Sequence, residues 1–187
     1  MEMDIPGNSY DAAYAIEATC HAPNLVGVYK EMLRVVKPGG RVALYEWCMT
    51  DKYDANNPTH KRISLGIEEG DGIAKLFTTQ EALEAFKEAG FEVEFSTDMA
   101  ITEGNDTPWY VPLEGRIQDG IMGFFRTKLG KSITGQFVGL LESMGVAPKG
   151  TQHMSQVLSV AQDNLVEGAK LGIFTPMFLL VGRKPLI

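Results

Sequence analysis

Two glutamates in this 187-residue chain each close an apolar run: Tyr14-Ala15-Ile16 leads into Glu17, and Ala43-Leu44-Tyr45 leads into Glu46, with Trp47 next. Short apolar runs of this kind are buried strands, and in open α/β sheets ligands sit beyond the carboxyl ends of the strands. If the two runs are neighbours, about 4.8 Å apart, both carboxylates hang over one crevice beside Tyr45 and Trp47. Carboxylates with aromatic faces suit a cation, which a desolvated ring attracts by about 0.5–2 kcal/mol. One acid at a strand end is ordinarily a solvated turn residue, so it is the pair with its aromatics that points to a site. His21 lies four residues after Glu17 in the same loop, within reach of the crevice, and is of a residue type that can serve a proton transfer, although a lone loop histidine is more often structural. Cys20 has no evident base beside it and reads as a small buried thiol. His21, His60 and His153 are too scattered to suggest a metal site.

The elements that hold these residues follow from periodicity. Tyr10 to Ile16 reads as a buried strand, and Asn24 caps a helix whose face carries Leu25, Val28, Met32 and Val35. Lys37-Pro38-Gly39-Gly40 stops that helix before a second buried strand, Arg41 to Tyr45. Residues 10–46 thus form a strand, helix, strand unit of the length a parallel crossover requires. Thr78-Thr79-Gln80-Glu81 fits a capping box opening a helix with Ala82, Leu83, Phe86 and Ala89, which ends at Gly90. Phe91, Val93 and Phe95 then alternate with polar residues, as on a strand near a sheet edge. Gly70-Asp71-Gly72, following Glu68 and Glu69, reads as a turn in a solvated loop. Residues 107–112 are a Pro-rich connector to three helical patterns, where Trp109, Tyr110, Phe124 and Phe125 either line an apolar pocket or form ordinary core. Thr175 to Gly182 is a continuous apolar run, a strand buried on both faces that returns to the first sheet.

Composition narrows the function classes. Hydrophobic residues at 44% and charged residues at 22% describe a globular chain, one compact domain with a small appendage. The net charge of −7 repels phosphate backbones and anionic lipid, which argues against a nucleic-acid partner. No window approaches the roughly 20 apolar residues of a membrane-spanning helix. The N-terminus lacks the basic and apolar regions of a secretion signal. Two cysteines outside any CxxC fit a reducing compartment.

Three phrases then carry a resemblance: Tyr14 to Pro23 (YAIEATCHAP), Tyr45 to Asp54 (YEWCMTDKYD) and Thr175 to Met177 (TPM), with Lys37 to Gly40 (KPGG), GDGI at 70–73 and PWY at 108–110. Together they closely resemble the sterol 24-C-methyltransferase family, over the latter half of its usual chain. The resemblance implies the latter half of a class I, Rossmann-like α/β methyltransferase sheet with an inserted, mostly helical C-terminal subdomain. Residues 1–98 would be the partial methyltransferase domain, 99–171 the helical subdomain, and 172–187 the final strand returning to the sheet. The implied chemistry is methyl transfer from S-adenosylmethionine to carbon 24 of a sterol side-chain double bond, through a carbocation and loss of one proton. It assigns Glu17, His21 and Glu46 to catalysis, and Ile16, Glu17 and His21 to the cofactor. Tyr14, Tyr45, Trp47, Trp109 and Tyr110 become sterol contacts. The roles of Cys20 and Cys48 stay open.

The family's glycine-rich cofactor loop and the acid that holds the cofactor ribose have no counterpart here, so the chain reads as a fragment that binds S-adenosylmethionine poorly by itself. Loss of the first three strands exposes one flank of a parallel sheet, which favours aggregation or dependence on a partner, including a second copy. The resemblance also implies peripheral association with the cytosolic face of the endoplasmic reticulum or with lipid droplets. Competing readings are a methyltransferase for another hydrophobic small molecule and a noncatalytic sterol-binding or subunit-contact module.

Overall fold

The computed structural model describes residues 2–101 and 107–186. Residues 102–106 of the expected helical segment, with Met1 and Ile187, lie outside the described residues.

The first crossover forms as the sequence predicts. Strand β1 (Tyr10–Ile16) leads into helix α1 (Leu25–Val35) and returns as β2 (Val36–Met49), parallel to β1. The Asn24 side chain accepts the Gly27 amide at 3.0 Å and starts α1. Residues 37–40 end the helix but belong to β2, which therefore begins earlier than expected. Gly39 has φ +80, and a Cβ on Gly40 would stand 2.6 Å from the carbonyl oxygen of Asp11, so the glycine pair lets β2 start hard against β1 where the register shifts.

Strand β3 (Phe77–Thr78) pairs β2 and opens α3 (Thr79–Glu88). Both hydrogen bonds of the Thr78–Glu81 capping box are present. Phe86 of α3 meets Tyr29 of α1 edge to face at 5.5 Å and stacks on Phe91 at 4.3 Å, so α1 and α3 cover Val42, Leu44 and Cys48 of β2. Strand β4 (Glu92–Asp98) and the last strand, β5 (Phe174–Arg183), complete the sheet in the order β1-β2-β5-β4. β5 runs antiparallel between β2 and β4, so β1, β2 and β4 point the same way and end on the same side. β4 is at an edge, as its alternation predicts. β5 buries one face fully and leaves the other half-buried.

Two expectations need correction. β1 is not buried: it is the outer strand of the described sheet, and Tyr14 and Ile16 are 77% and 59% exposed. A strand reads as buried from composition alone, but burial needs a neighbour on each side. The solvated loop expected around residue 70 is helix α2 (Pro58–Asp71), capped by Asn57 and ended by Gly72 with φ 66. Its apolar stripe is interrupted by charged residues and Gly66, which hides the helical period. Gly66 and Gly70 let it lie close against α6 (Thr151–Leu171), since a Cβ at either would come within 2.3 Å of an α6 side chain. Helices α4 (Gly120–Arg126) and α5 (Lys128–Ser143) precede α6. α2 and α6 close a second core on Met49, Ile63, Ile67, Leu165, Ile173 and Phe174.

Candidate functional site

The loop between β1 and α1 and the ends of β2 and β4 lie together at the carboxyl side of the parallel strands. Glu17 is the first residue past β1. Its amide donates to the Tyr45 carbonyl at 3.0 Å, its side chain is exposed, and its φ is +53. A non-glycine residue in that region is uncommon and is held there by its surroundings. Ile16 stands opposite Tyr45 and Tyr14 opposite Ala43 in the parallel register. His21 closes a single 3-10 turn, Thr19–His21, and is exposed.

Glu46 is one residue beyond Tyr45, yet its carboxylate is only 2% exposed. Its Oε1 accepts the Thr19 hydroxyl and, at 2.8 Å, the Tyr29 hydroxyl from α1. Burial raises the Glu46 pKa, against the pull of those two hydroxyls. Cys20 is buried beside it, and its thiol is pushed up to about 11, first by desolvation and then by the charge of Glu46. Burial likewise drives the Cys48 thiol upward. Glu46 thus anchors the loop that carries Glu17 and His21, from behind.

This splits the expected cluster. Successive strand residues point to opposite faces, so Glu46 faces α1 while Tyr45 and Trp47 face away from it; two acids and two aromatics do not share one open rim. Trp47 packs edge to face on Phe174 at 5.5 Å, and Trp109 meets the same ring at 5.9 Å and Tyr110 at 6.0 Å. Among the described residues, the buried Nε1 of Trp47 has no hydrogen-bond partner. Trp109, Tyr110, Phe174 and Phe178 line a cavity of about 360 Å³ together with Thr50 and Asp98, within the size range of small-molecule pockets.

Asp98 escaped the sequence reading. It ends β4 as Glu17 follows β1, and it accepts the Thr175 hydroxyl at 2.6 Å and the Ala100 amide at 2.9 Å. The signal was available: an acid where a strand ends, with a buried threonine in the TPM phrase to meet it. Among the described residues no group of three or more His, Cys, Asp or Glu side chains is arranged to hold a metal ion.

A family model described as sterol methyltransferase C-terminal matches residues 121–186, and one described as methyltransferase domain matches residues 1–44. The sterol 24-C-methyltransferase of Aspergillus fumigatus is 50% identical over 191 aligned residues, covering 99% of this chain and 50% of the relative. That of Saccharomyces cerevisiae is 49% identical with the same coverage, and cycloartenol-C-24-methyltransferase 1 of Oryza sativa is 48% identical over 100% of this chain and 53% of its own length. Among solved structures, a putative sarcosine dimethylglycine methyltransferase from Galdieria sulphuraria aligns with TM-score 0.57 at 18% identity, over 98% of this chain and 56% of that one. A geranyl diphosphate methyltransferase in complex with SAM aligns with TM-score 0.55 at 12% identity, over 98% and 54%. These likenesses give the fold, that of class I methyltransferases. The chain spans about half the length of the curated relatives it matches, and over that half its sequence matches the sterol 24-C-methyltransferase family.

Proposed function

We propose that this chain supplies one side of the reaction crevice of a sterol 24-C-methyltransferase, using S-adenosylmethionine as methyl donor. The observation that carries the reading is 50% identity to a curated sterol 24-C-methyltransferase across 99% of the chain. When bound, S-adenosylmethionine supplies an electrophilic methyl group on a positively charged sulfur. The donor set fits that partner: the exposed Glu17 carboxylate beside Ile16 offers negative charge at the strand end, and Glu46 with Thr19 keeps that loop in place. The ring wall of Trp109, Tyr110 and Phe174 offers an apolar surface to a sterol, with Tyr14, Tyr45 and Trp47 as further contacts. His21, within the same loop, takes the proton released after alkylation. Residues 1–98, 99–171 and 172–187 act as partial methyltransferase domain, sterol-facing region and returning strand. No helix among the described residues is long and apolar enough to cross a membrane. We place the working protein peripherally at the cytosolic face of the endoplasmic reticulum or on lipid droplets, self-associated or with a partner.

The test is a methyl-transfer assay on the chain extended upstream by the residues that its relatives carry, with labelled S-adenosylmethionine and a Δ24 sterol. A 24-methyl sterol by mass spectrometry is expected, with at least a roughly tenfold loss in kcat/KM for Glu17→Gln. Methylation of a non-sterol acceptor alone would select a different substrate class, and no transfer to any acceptor would select the noncatalytic reading. The isolated 187 residues are expected to bind S-adenosylmethionine poorly, and micromolar binding by calorimetry would refute an incomplete crevice.

A further inference from the structure

Pro108, Trp109 and Tyr110 form one wall of the cavity of about 360 Å³, whose lining includes Phe174 and Phe178 of β5. A connector has no ladder of hydrogen bonds to set its height over a sheet, so the rings it carries depend on tertiary fastenings. Beyond the rings the chain makes a single 3-10 turn, Val111–Leu113, and reaches Glu114. There it is fastened on two sides. The Arg126 guanidinium of α4 donates to the Pro112 carbonyl, and the Gln162 side-chain amide of α6 donates to the Leu113 carbonyl. Gly115 brings the backbone hard against the start of α5, since a Cβ there would stand 2.3 Å from the Thr127 nitrogen.

Glu114 closes the arrangement. Its side chain is 17% exposed, a carboxylate mostly withdrawn from water, and each of its oxygens has a cation. Oε2 accepts Arg116 Nη2 at 2.7 Å and Nε at 3.1 Å, and Oε1 pairs with the Lys170 ammonium. These partners, Lys170 first and Arg116 next, hold the Glu114 carboxyl below the usual carboxylate range. The two cations have different reach. Arg116 lies two residues along on the connector itself and braces the carboxylate. Lys170 comes from the last turn of α6, four residues before Phe174, so its ion pair ties the connector to the segment that leads into the ring Trp109 meets at 5.9 Å. A half-exposed ion pair contributes little to stability, but a carboxylate engaged at both oxygens has a fixed direction.

We propose that Glu114, paired with Lys170, is a positioning residue that sets the height of the Trp109 and Tyr110 rings over the cavity and thereby the bulk of the apolar ligand the cavity admits. This rests on the reading of that ring wall as a sterol surface. A radial gap of roughly 0.5–1 Å already forfeits a quarter to a half of a dispersion contact, so a rigid polycyclic ligand is held well only by a wall at a fixed height. A wall that yields loses contacts with the ligand it fits and admits a bulkier one. Glu114 touches no reacting atom, and its effect belongs to binding of the acceptor rather than to transfer of the methyl group.

The tie can be tested without methyl transfer on the 187-residue chain labelled with 5-fluorotryptophan, whose two tryptophans give two fluorine resonances that Trp109→Phe assigns. Glu114→Gln and Lys170→Met each move the Trp109 resonance, and Lys170→Arg leaves it at the parent position. The Trp47 resonance stays in place, because Trp47 reaches Phe174 from β2 and not from the connector. In the extended enzyme Lys170→Met raises KM for a Δ24 sterol about five- to tenfold, with kcat within about twofold, and weakens the preference over an acceptor with a bulkier ring system; Lys170→Arg behaves as the parent. A Trp109 resonance unmoved by Lys170→Met overturns the proposal, as does one moved equally by Lys170→Arg or moved together with that of Trp47, the mark of a general loosening. Lys170 is half exposed, so its substitution leaves the fold intact and decides the matter even where Glu114→Gln does not fold. A moved resonance with KM unchanged overturns the specificity role, while an extended parent enzyme without transfer overturns the functional reading and leaves the fluorine result to judge the tie.

Discussion

At the scale of single residues, Glu46 separates what a side chain is from what it does. Its type and its place after a strand suggested a carboxylate open to a ligand, but its oxygen is taken by Thr19 and Tyr29 and its surface is closed by α1. Tyr29→Phe removes one of two donors from a buried acid and is expected to cost about 1–3 kcal/mol in urea unfolding. The pH dependence has a definite sign. Because burial raises the folded pKa of Glu46, the folded chain holds that proton more tightly than the unfolded one. The corresponding stability is full at acid pH, below the ordinary glutamate range, and is lost as pH rises through the raised folded value. Glu46→Gln keeps an oxygen for both hydroxyls and cannot ionise, so its stability relative to the parent should rise from acid to neutral pH. A difference that stays flat across that range in denaturant titrations would mean that Glu46 has the same pKa in the folded and unfolded chain, against the effect of its burial.

Among the elements, α2 is decided by backbone approach and α3 by its cap. Gly70→Ala forces a methyl group to within 2.2 Å of Ala161 and must push α2 from α6, at about 1–3 kcal/mol read from the urea midpoint. Thr78→Ala deletes the side-chain oxygen that accepts the Glu81 amide at 3.1 Å, with an expected loss of about 1 kcal/mol by the same measurement. Because α3 packs on α1 rather than on α2, the two substitutions act on different cores and their costs should add.

For the molecule as a whole, the uncovered surfaces matter most. Among the described residues β1 presents an unpaired parallel edge with Tyr14 and Ile16 exposed, and α5 carries Leu129, Ile133, Phe137 and Leu140 along one exposed stripe that its C-cap, Met144, continues. An apolar edge and an apolar stripe of this extent drive association. The isolated chain is therefore expected to sediment as dimers or larger species at micromolar concentration, and Tyr14→Lys on the edge should shift it toward monomer. A monomer across that range would show that these surfaces are tolerated by the chain as it stands.

Local elements with strong signals were legible along the chain: Asn24 and the Thr78–Glu81 box start α1 and α3, the 10–46 crossover closes, and 174–183 returns as a strand. Its phrases also pointed to the family that it matches, because a ten-residue motif such as YAIEATCHAP carries far more specificity than any periodicity. Direction and company emerged from the folded arrangement alone. Strand alternation turned Glu46 away from Tyr45 and Trp47, the absence of a described neighbour left β1 exposed, and α2 stayed hidden because its glycines serve the contact with α6 rather than its own helical period. Propensity and capping act over three or four residues and are written locally, whereas burial, orphaned polar atoms such as Asp71 Oδ2, and the meeting of Asp98 with Thr175 arise between segments far apart in the chain.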